Sequence, residues 1–230
     1  MGAVAENFRA VLEKIEAATK RAGRGPGSVR LVTVSKTVPV ERIREAVEAG
    51  ARILGENRVQ EALSKMETTD FSDLPAPEWH LIGTLQKNKA RHAVGVFSLI
   101  HSIDSIELAK EVGRQAEKKG IKQRVLIEVN IAGEATKHGI RPNEALAAAK
   151  EISLIPGVEL QGLMCVPPFT DDPEDSRPHF IRLRELLADI NNAGIPANEL
   201  SIGMTQDYEV AVEEGATLVR VGTAIFGARV

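Results

Sequence analysis

The sequence predicts a single (β/α)8 barrel of the TIM type over residues 1–230, with an extra helix at the N-terminus. Three observations lead there: eight short runs rich in β-branched residues, seven helical stretches between them, and a repeat of about 27 residues per unit. An open doubly wound sheet is the structural alternative. No glycine-rich dinucleotide fingerprint follows the first run, however, and no Walker A pattern is present.

Taken in order, Val4 to Ala22 reads as an amphipathic helix, with Phe8, Val11, Leu12, Ile15 and Ala18 at spacings of three and four. The glycine-rich GRGPGS at 23–28 ends it. The strand LVTVSK (31–36) precedes the helix VERIREAVEAG, and RILGEN (52–57) precedes RVQEALSKM. WHLIGT (79–84), SLIHSID (98–104), RVLIEVNI (124–131), VELQGLMCV (158–166), ELSIGMT (199–205) and LVRVGTAIF (218–226) are the remaining strands. Helices such as SIELAKEVGRQAEKKG, NEALAAAKEIS and SRPHFIRLRELLADINNAG separate them.

Composition narrows the function. With 43% hydrophobic and 27% charged residues the chain buries a core, and its net charge of −3 gives no broad basic footprint for nucleic acid. The lone Cys165 excludes an internal disulfide and any multi-cysteine metal site, and no histidines pair at metal spacing. Apolar stretches such as Ala93 to Ile103 are about half the length of a membrane span. Glu6, Arg9 and Glu13 interrupt what would be a signal-peptide core. A cytoplasmic location, a monomer, and neither membrane nor nucleic acid as partner are the expectations.

Barrel chemistry sits where strands end, so the polar residues closing each run carry the information. They are Lys36, then Glu56 and Asn57, His101 and Asp104, Glu128 and Asn130, and Ser201 and Thr205, with Arg220 inside the last strand. Alternation sets Val32, Val34 and Lys36 on one face and Leu218, Arg220 and Gly222 on another. If both faces point inward, a lysine and an arginine share the barrel mouth. Position alone also allows Lys36 to be an ordinary surface lysine. Its setting in VSKTVP instead roots it in the barrel wall, where partial desolvation favours the neutral amine that attacks a carbonyl. Gly203, Thr205, Gly222 and Thr223 offer backbone N–H groups to a phosphate after strands seven and eight, or they only make tight turns. Together, lysine and cradle point to a phosphorylated carbonyl compound.

The stretches VSKTVP, GENRVQE, WHLIGTLQKNK, GLMCVPP and LSIGMTQDYEVAVEEGATLVRVGTAIFG carry a resemblance along nearly the whole length. The sequence resembles the pyridoxal 5′-phosphate homeostasis proteins, the YggS or PROSC family, related to the N-terminal barrel of alanine racemase. The resemblance implies one pyridoxal-phosphate-binding barrel domain over residues 1–230. It implies that Lys36 holds the cofactor as a Schiff base, that Thr205, Gly222 and Thr223 bind its phosphate, that Arg220 approaches the pyridine nitrogen, and that Asn57 and Ser201 line the pocket. It also implies a non-catalytic role in intracellular cofactor homeostasis, with apo enzymes that use pyridoxal phosphate as recipients. The alternative is a racemase-like enzyme with residual activity. The chain stops at Val230, just after strand eight, so the racemases' second domain and its tyrosine acid are expected to be missing. Tyr208, the only tyrosine, reads as a helix-face residue.

Other candidates carry two readings each. His80 and His101 line the pocket or are satisfied barrel histidines; His92 and His179 fall on helices. Lys87, Lys89, Arg91 and His92 form a solvated basic face or an anion site. Lys137, in GEATKHG at 133–139, is a second amine for cofactor transfer if the loop reaches the mouth. Glu128 is expected to be buried against Lys36 or Arg220, and Cys165 to be a small core residue. A Schiff-base aldolase and a scaffold with an idle pocket are the remaining functions.

Overall fold

The computed structural model describes residues 2–134 and 137–228. The ends of the expected 1–230 span, and Ala135 and Thr136 of the loop bearing Lys137, lie outside them. Each β-branched run forms a parallel strand: β1 Arg30–Val34, β2 Ile53–Glu56, β3 Glu78–Leu81, β4 Leu99–Ile103, β5 Gln123–Glu128, β6 Val158–Met164, β7 Glu199–Ser201 and β8 Leu218–Val221. Each pairs with the next, and β8 returns to β1 to close the barrel.

Helices surround it: α1 Ala3–Arg21, α2 Val40–Glu48, α3 Val59–Thr68, α4 Ala90–Ala93, α5 Ile106–Lys118, α6 Ala145–Ser153, α7 Arg177–Asn192, α8 Tyr208–Glu213 and α9 Thr223–Phe226. The additional helix α1 packs on α2, α8 and α9 through Val4, Phe8, Val11 and Ile15. Leu12, expected in that stripe, is 40% exposed: the buried residues recur at four, three and four, which turns the neighbouring position outward. Ser105 caps α5 by accepting from the Leu108 N–H at 3.3 Å.

Two apolar layers result. The larger joins outward strand residues to the helices; the smaller, of Val32, Ile53, Leu99, Leu126, Met164 and Leu218, fills the barrel interior. Val32 and Leu218 therefore point inward, and by alternation so do Val34 and Arg220. Strands stop earlier than their apolar runs. β8 ends at Val221, and Thr223–Phe226, expected as strand, turns into α9; β7 ends at Ser201 rather than reaching Thr205. The cause is visible at Gly203, whose φ of +85° lies outside strand geometry. The freed segments become the rim of the barrel mouth.

Candidate functional site

Lys36 stands just past β1, in a turn closed by the Val38 N–H donating to the Ser35 carbonyl at 3.0 Å. Thr37, third residue of that turn, has φ +61°, a conformation costly for a β-branched side chain, on the order of 1–3 kcal/mol. Ties from α3 hold it. The Thr37 N–H donates to Glu61 Oε1 at 2.5 Å, and Lys65 Nζ donates to the Ser35 carbonyl at 2.6 Å, to Glu61 Oε1 at 2.7 Å and to Glu56 Oε1 at 2.8 Å. Ser35 Oγ adds a bond to Glu56 Oε1 at 2.7 Å. Glu56 is wholly buried, and burial pushes its carboxyl up despite the Lys65 ammonium and the Ser35 hydroxyl. Glu61 is held low: burial opposes this, but Lys65 and the Thr37 N–H outweigh it. Lys36 thus projects from a strained turn that an ion network pins in place.

Across the mouth, Arg220 enters from β8 and is only 4% exposed. Its Nη1 donates to the Ser201 carbonyl at 2.7 Å and to Ser201 Oγ at 2.6 Å, and its Nη2 donates to the Cys165 carbonyl at 2.9 Å. All three acceptors are neutral, and among the described residues Arg220 has no carboxylate in ion-pair range. Burial lowers its affinity for the proton, yet arginine stays charged in proteins. Of the two partners expected for Glu128, Lys36 or Arg220, the arginine lies beyond ion-pair range and acts on it only at longer distance. Glu128 is instead pushed up, first by burial and then by Asp104.

The third wall is backbone. Among the described residues, the N–H groups of Thr205, Gly222 and Thr223 find no acceptor in the chain. A Cβ at Gly203 would lie 2.5 Å from Ala211 Cβ and 2.9 Å from Tyr208 Cα, and one at Gly222 would lie 3.1 Å from the Val34 carbonyl oxygen. Only glycines let these segments approach so closely. Asp207 holds the first of them, accepting from the Met204 N–H at 2.7 Å and from Ser176 Oγ at 2.9 Å.

These walls enclose an open cleft of about 690 Å³, lined by Lys36, Asn57, Thr205, Arg220, Gly222 and Thr223. Six of the seven residues singled out from the sequence thus meet at one place. Ser201, the seventh, is fully buried behind Arg220 and does not line the cleft. Lys137 reaches the cleft too, paired with Glu134 at 2.7 Å. His80 and His101 lie deeper, in the barrel interior, almost without exposure. Tyr208 is buried at the start of α8, away from the cleft lining. Cys165 is a buried core residue whose thiol burial pushes up to about 12. Lys65, Glu61 and Asp207 were not singled out in the sequence; the only advance signal was the Glu61–Lys65 spacing of four on one helix face.

The donor set suits a phosphorylated pyridine aldehyde. Unpaired N–H groups and threonine hydroxyls meet an anion, a buried guanidinium with no carboxylate in ion-pair range among the described residues meets an acceptor, and an amine meets a carbonyl.

Residues 3–230 match the family described as alanine racemase, N-terminal domain. The chain is 49% identical over 228 residues to the pyridoxal phosphate homeostasis protein of Aquifex aeolicus, covering 97% of each. It is 42% identical to that of Pseudomonas aeruginosa, covering 100% of this chain and 97% of the relative. Among solved structures, PipY of Synechococcus elongatus with PLP bound superposes with a TM-score of 0.83 at 37% identity, covering 97% of this chain and 100% of PipY. Alanine racemase of Corynebacterium glutamicum shares the fold at TM-score 0.73 and 18% identity; this chain spans 61% of it.

Proposed function

The chain belongs to the alanine racemase N-terminal domain family and, within it, to the pyridoxal phosphate homeostasis proteins, and from that premise we propose that it binds pyridoxal 5′-phosphate as a Schiff base on Lys36 and takes part in cofactor homeostasis. The observation that carries this reading is the cleft that gathers Lys36, the buried Arg220 and the unpaired N–H groups of Thr205, Gly222 and Thr223. When bound, the cofactor supplies an aldehyde that condenses reversibly with amines and a ring that withdraws electrons.

The residues divide the work. The Lys36 turn presents the amine, and the network of Lys65, Glu61 and Glu56 keeps that turn from relaxing. Thr205, Gly222 and Thr223 donate to phosphate oxygens, and Asn57 adds a polar group on the opposite wall. Arg220 can only donate, so it holds the ring nitrogen as an unprotonated acceptor, which weakens electron withdrawal and restrains reactivity. Ser201 supports Arg220 from behind. This supports a single-domain carrier that delivers the cofactor to apo enzymes over a racemase-like catalyst. Lys137, at the rim, is placed to serve as a second amine in transfer.

The test is the absorption spectrum of the protein incubated with pyridoxal phosphate, before and after borohydride, with peptide mapping. A visible band that reduction fixes onto Lys36, and that Lys36→Ala lacks, is expected. A protein that takes up no cofactor would overturn the reading, and steady amino-acid racemisation by the loaded protein would favour the enzyme.

A further inference from the structure

A line of buried polar groups runs along the barrel interior below the cleft. Behind Arg220, Ser201 Oγ lies 2.9 Å from His101 Nδ1, and His101 Nε2 lies 3.0 Å from His80 Nδ1. At the far end His80 Nε2 faces Glu78 Oε2 at 3.6 Å, beyond hydrogen-bond range but close enough for the carboxylate to favour a proton on that nitrogen. Glu78 itself is half exposed at the opposite end of the barrel. His80, His101 and Ser201 are each 1% exposed or less. The β4–β5 register shifts between Ile100 and Ile103, which bracket His101.

Proton counting leaves one arrangement. Arg220 must donate, so Ser201 Oγ accepts from it, and the serine hydroxyl has one proton left to place. Among the described residues its one other neighbour is His101 Nδ1. If that nitrogen is bare, the serine donates to it, His101 donates from Nε2 to His80 Nδ1, and His80 turns its own Nε2–H toward Glu78. If Nδ1 carries the proton, the serine hydroxyl has no acceptor among the described residues, and His80 presents a bare lone pair to a carboxylate. A doubly protonated histidine in either place would put a second buried cation in line with Arg220 and in the field of Arg30. Burial, then Arg30 and Arg124, hold His80 at about 3, with Glu199 opposing, and burial, then His80, Arg220 and Arg30, hold His101 well below its ordinary value.

We infer that His80 and His101, as neutral Nε2–H tautomers in a one-way donor chain that runs from Arg220 through Ser201 and His101 to His80, are positioning residues that hold the Arg220 guanidinium in its orientation toward the cleft. The importance of that orientation for the cofactor rests on the reading proposed above; the chain itself does not. Through it, His80, deep in the barrel interior, is tied to the cation expected to face the cofactor ring. His101→Leu removes the acceptor for Ser201, and His101→Asn restores one beside it.

The test uses the full chain labelled with 15N, first without cofactor. Nitrogen chemical shifts should report neutral Nε2–H imidazoles at both histidines across pH 6 to 8, and the Arg220 Nη signals should be resolved in the wild type, averaged in His101→Leu and resolved again in His101→Asn. Loaded with pyridoxal phosphate, His101→Leu should bind it about tenfold more weakly, with a shifted absorption maximum, and His101→Asn should stay near wild type. Nδ1–H tautomers, or Arg220 signals equally resolved in His101→Leu, would overturn the inference. So would an unchanged spectrum and affinity in a His101→Leu protein that binds the cofactor. A wild type that takes up no pyridoxal phosphate would overturn the proposed function, while the chain would still be judged by the two nitrogen readings.

Discussion

Replacing Lys65 by methionine leaves Glu56 as a fully buried carboxylate without its cation. The methionine keeps most of the side-chain volume, so the change is electrostatic rather than a cavity. Glu56 then retains the Ser35 hydroxyl as donor, while Oε2, which has no partner among the described residues, stays unsatisfied. Removing one member of a buried pair costs about 3–5 kcal/mol, a large share of the roughly 5–15 kcal/mol that holds a domain together. Part of that cost is recoverable by protonation. The folded-state pKa of Glu56 is already raised by burial and rises further without Lys65, so the folded state of the variant binds a proton more readily than the unfolded one. The Glu56 contribution to its stability should therefore increase as pH falls from neutrality toward the ordinary glutamate value, and the gap to wild type should narrow by up to about 1.4 kcal/mol per pH unit. Urea unfolding at pH 7.5 and pH 5.5 reads this, provided the m-values match. The double variant Lys65→Met, Glu56→Gln carries no buried charge at this site and should recover at least about 2 kcal/mol. A loss under about 1 kcal/mol at pH 7.5, or one that is the same at both pH values with no recovery in the double variant, would refute the argument that this pair pins the Lys36 turn.

Gly203→Ala combines a positive φ with a Cβ 2.5 Å from Ala211 Cβ, and should cost about 2–4 kcal/mol in urea unfolding and weaken phosphate-dependent cofactor binding. The depressed pKa values of His80 and His101 mean that the unfolded chain takes up protons below about pH 6.5 which the folded chain refuses. Stability is thus present above that value and lost as pH falls; the two sites together should remove on the order of 4 kcal/mol between pH 7 and pH 5, and the double variant His80→Leu, His101→Leu should flatten that slope. Equal slopes in variant and wild type would contradict it. Cys165, fully buried with its thiol pushed up to about 12, should resist a thiol reagent at pH 8 in the native protein and react at once in denaturant. Rapid labelling of the native protein would show that the interior opens locally.

The sequence by itself determined the eight-fold alternation, because each strand and helix writes its own period locally. It also determined the placement of Lys36 at the C-terminal end of the first strand, and the alternation that puts Arg220 two residues from the inward Leu218. These are properties of a few consecutive residues and survive without knowledge of their neighbours. Tertiary structure alone decided that Ser201 supports Arg220 instead of lining the cleft, and that His80 and His101 join it in a line. It also decided that Lys65 reaches across from α3 to Ser35 and Glu56. His101 and Ser201 are 100 positions apart, and Ser35 and Lys65 are 30 apart. Such contacts depend on strand register around a closed barrel, where a slip of one residue turns every side chain to the other face. Nothing in the spacing along the chain encodes that register; it is selected when the interior layer and the helix layer pack at the same time.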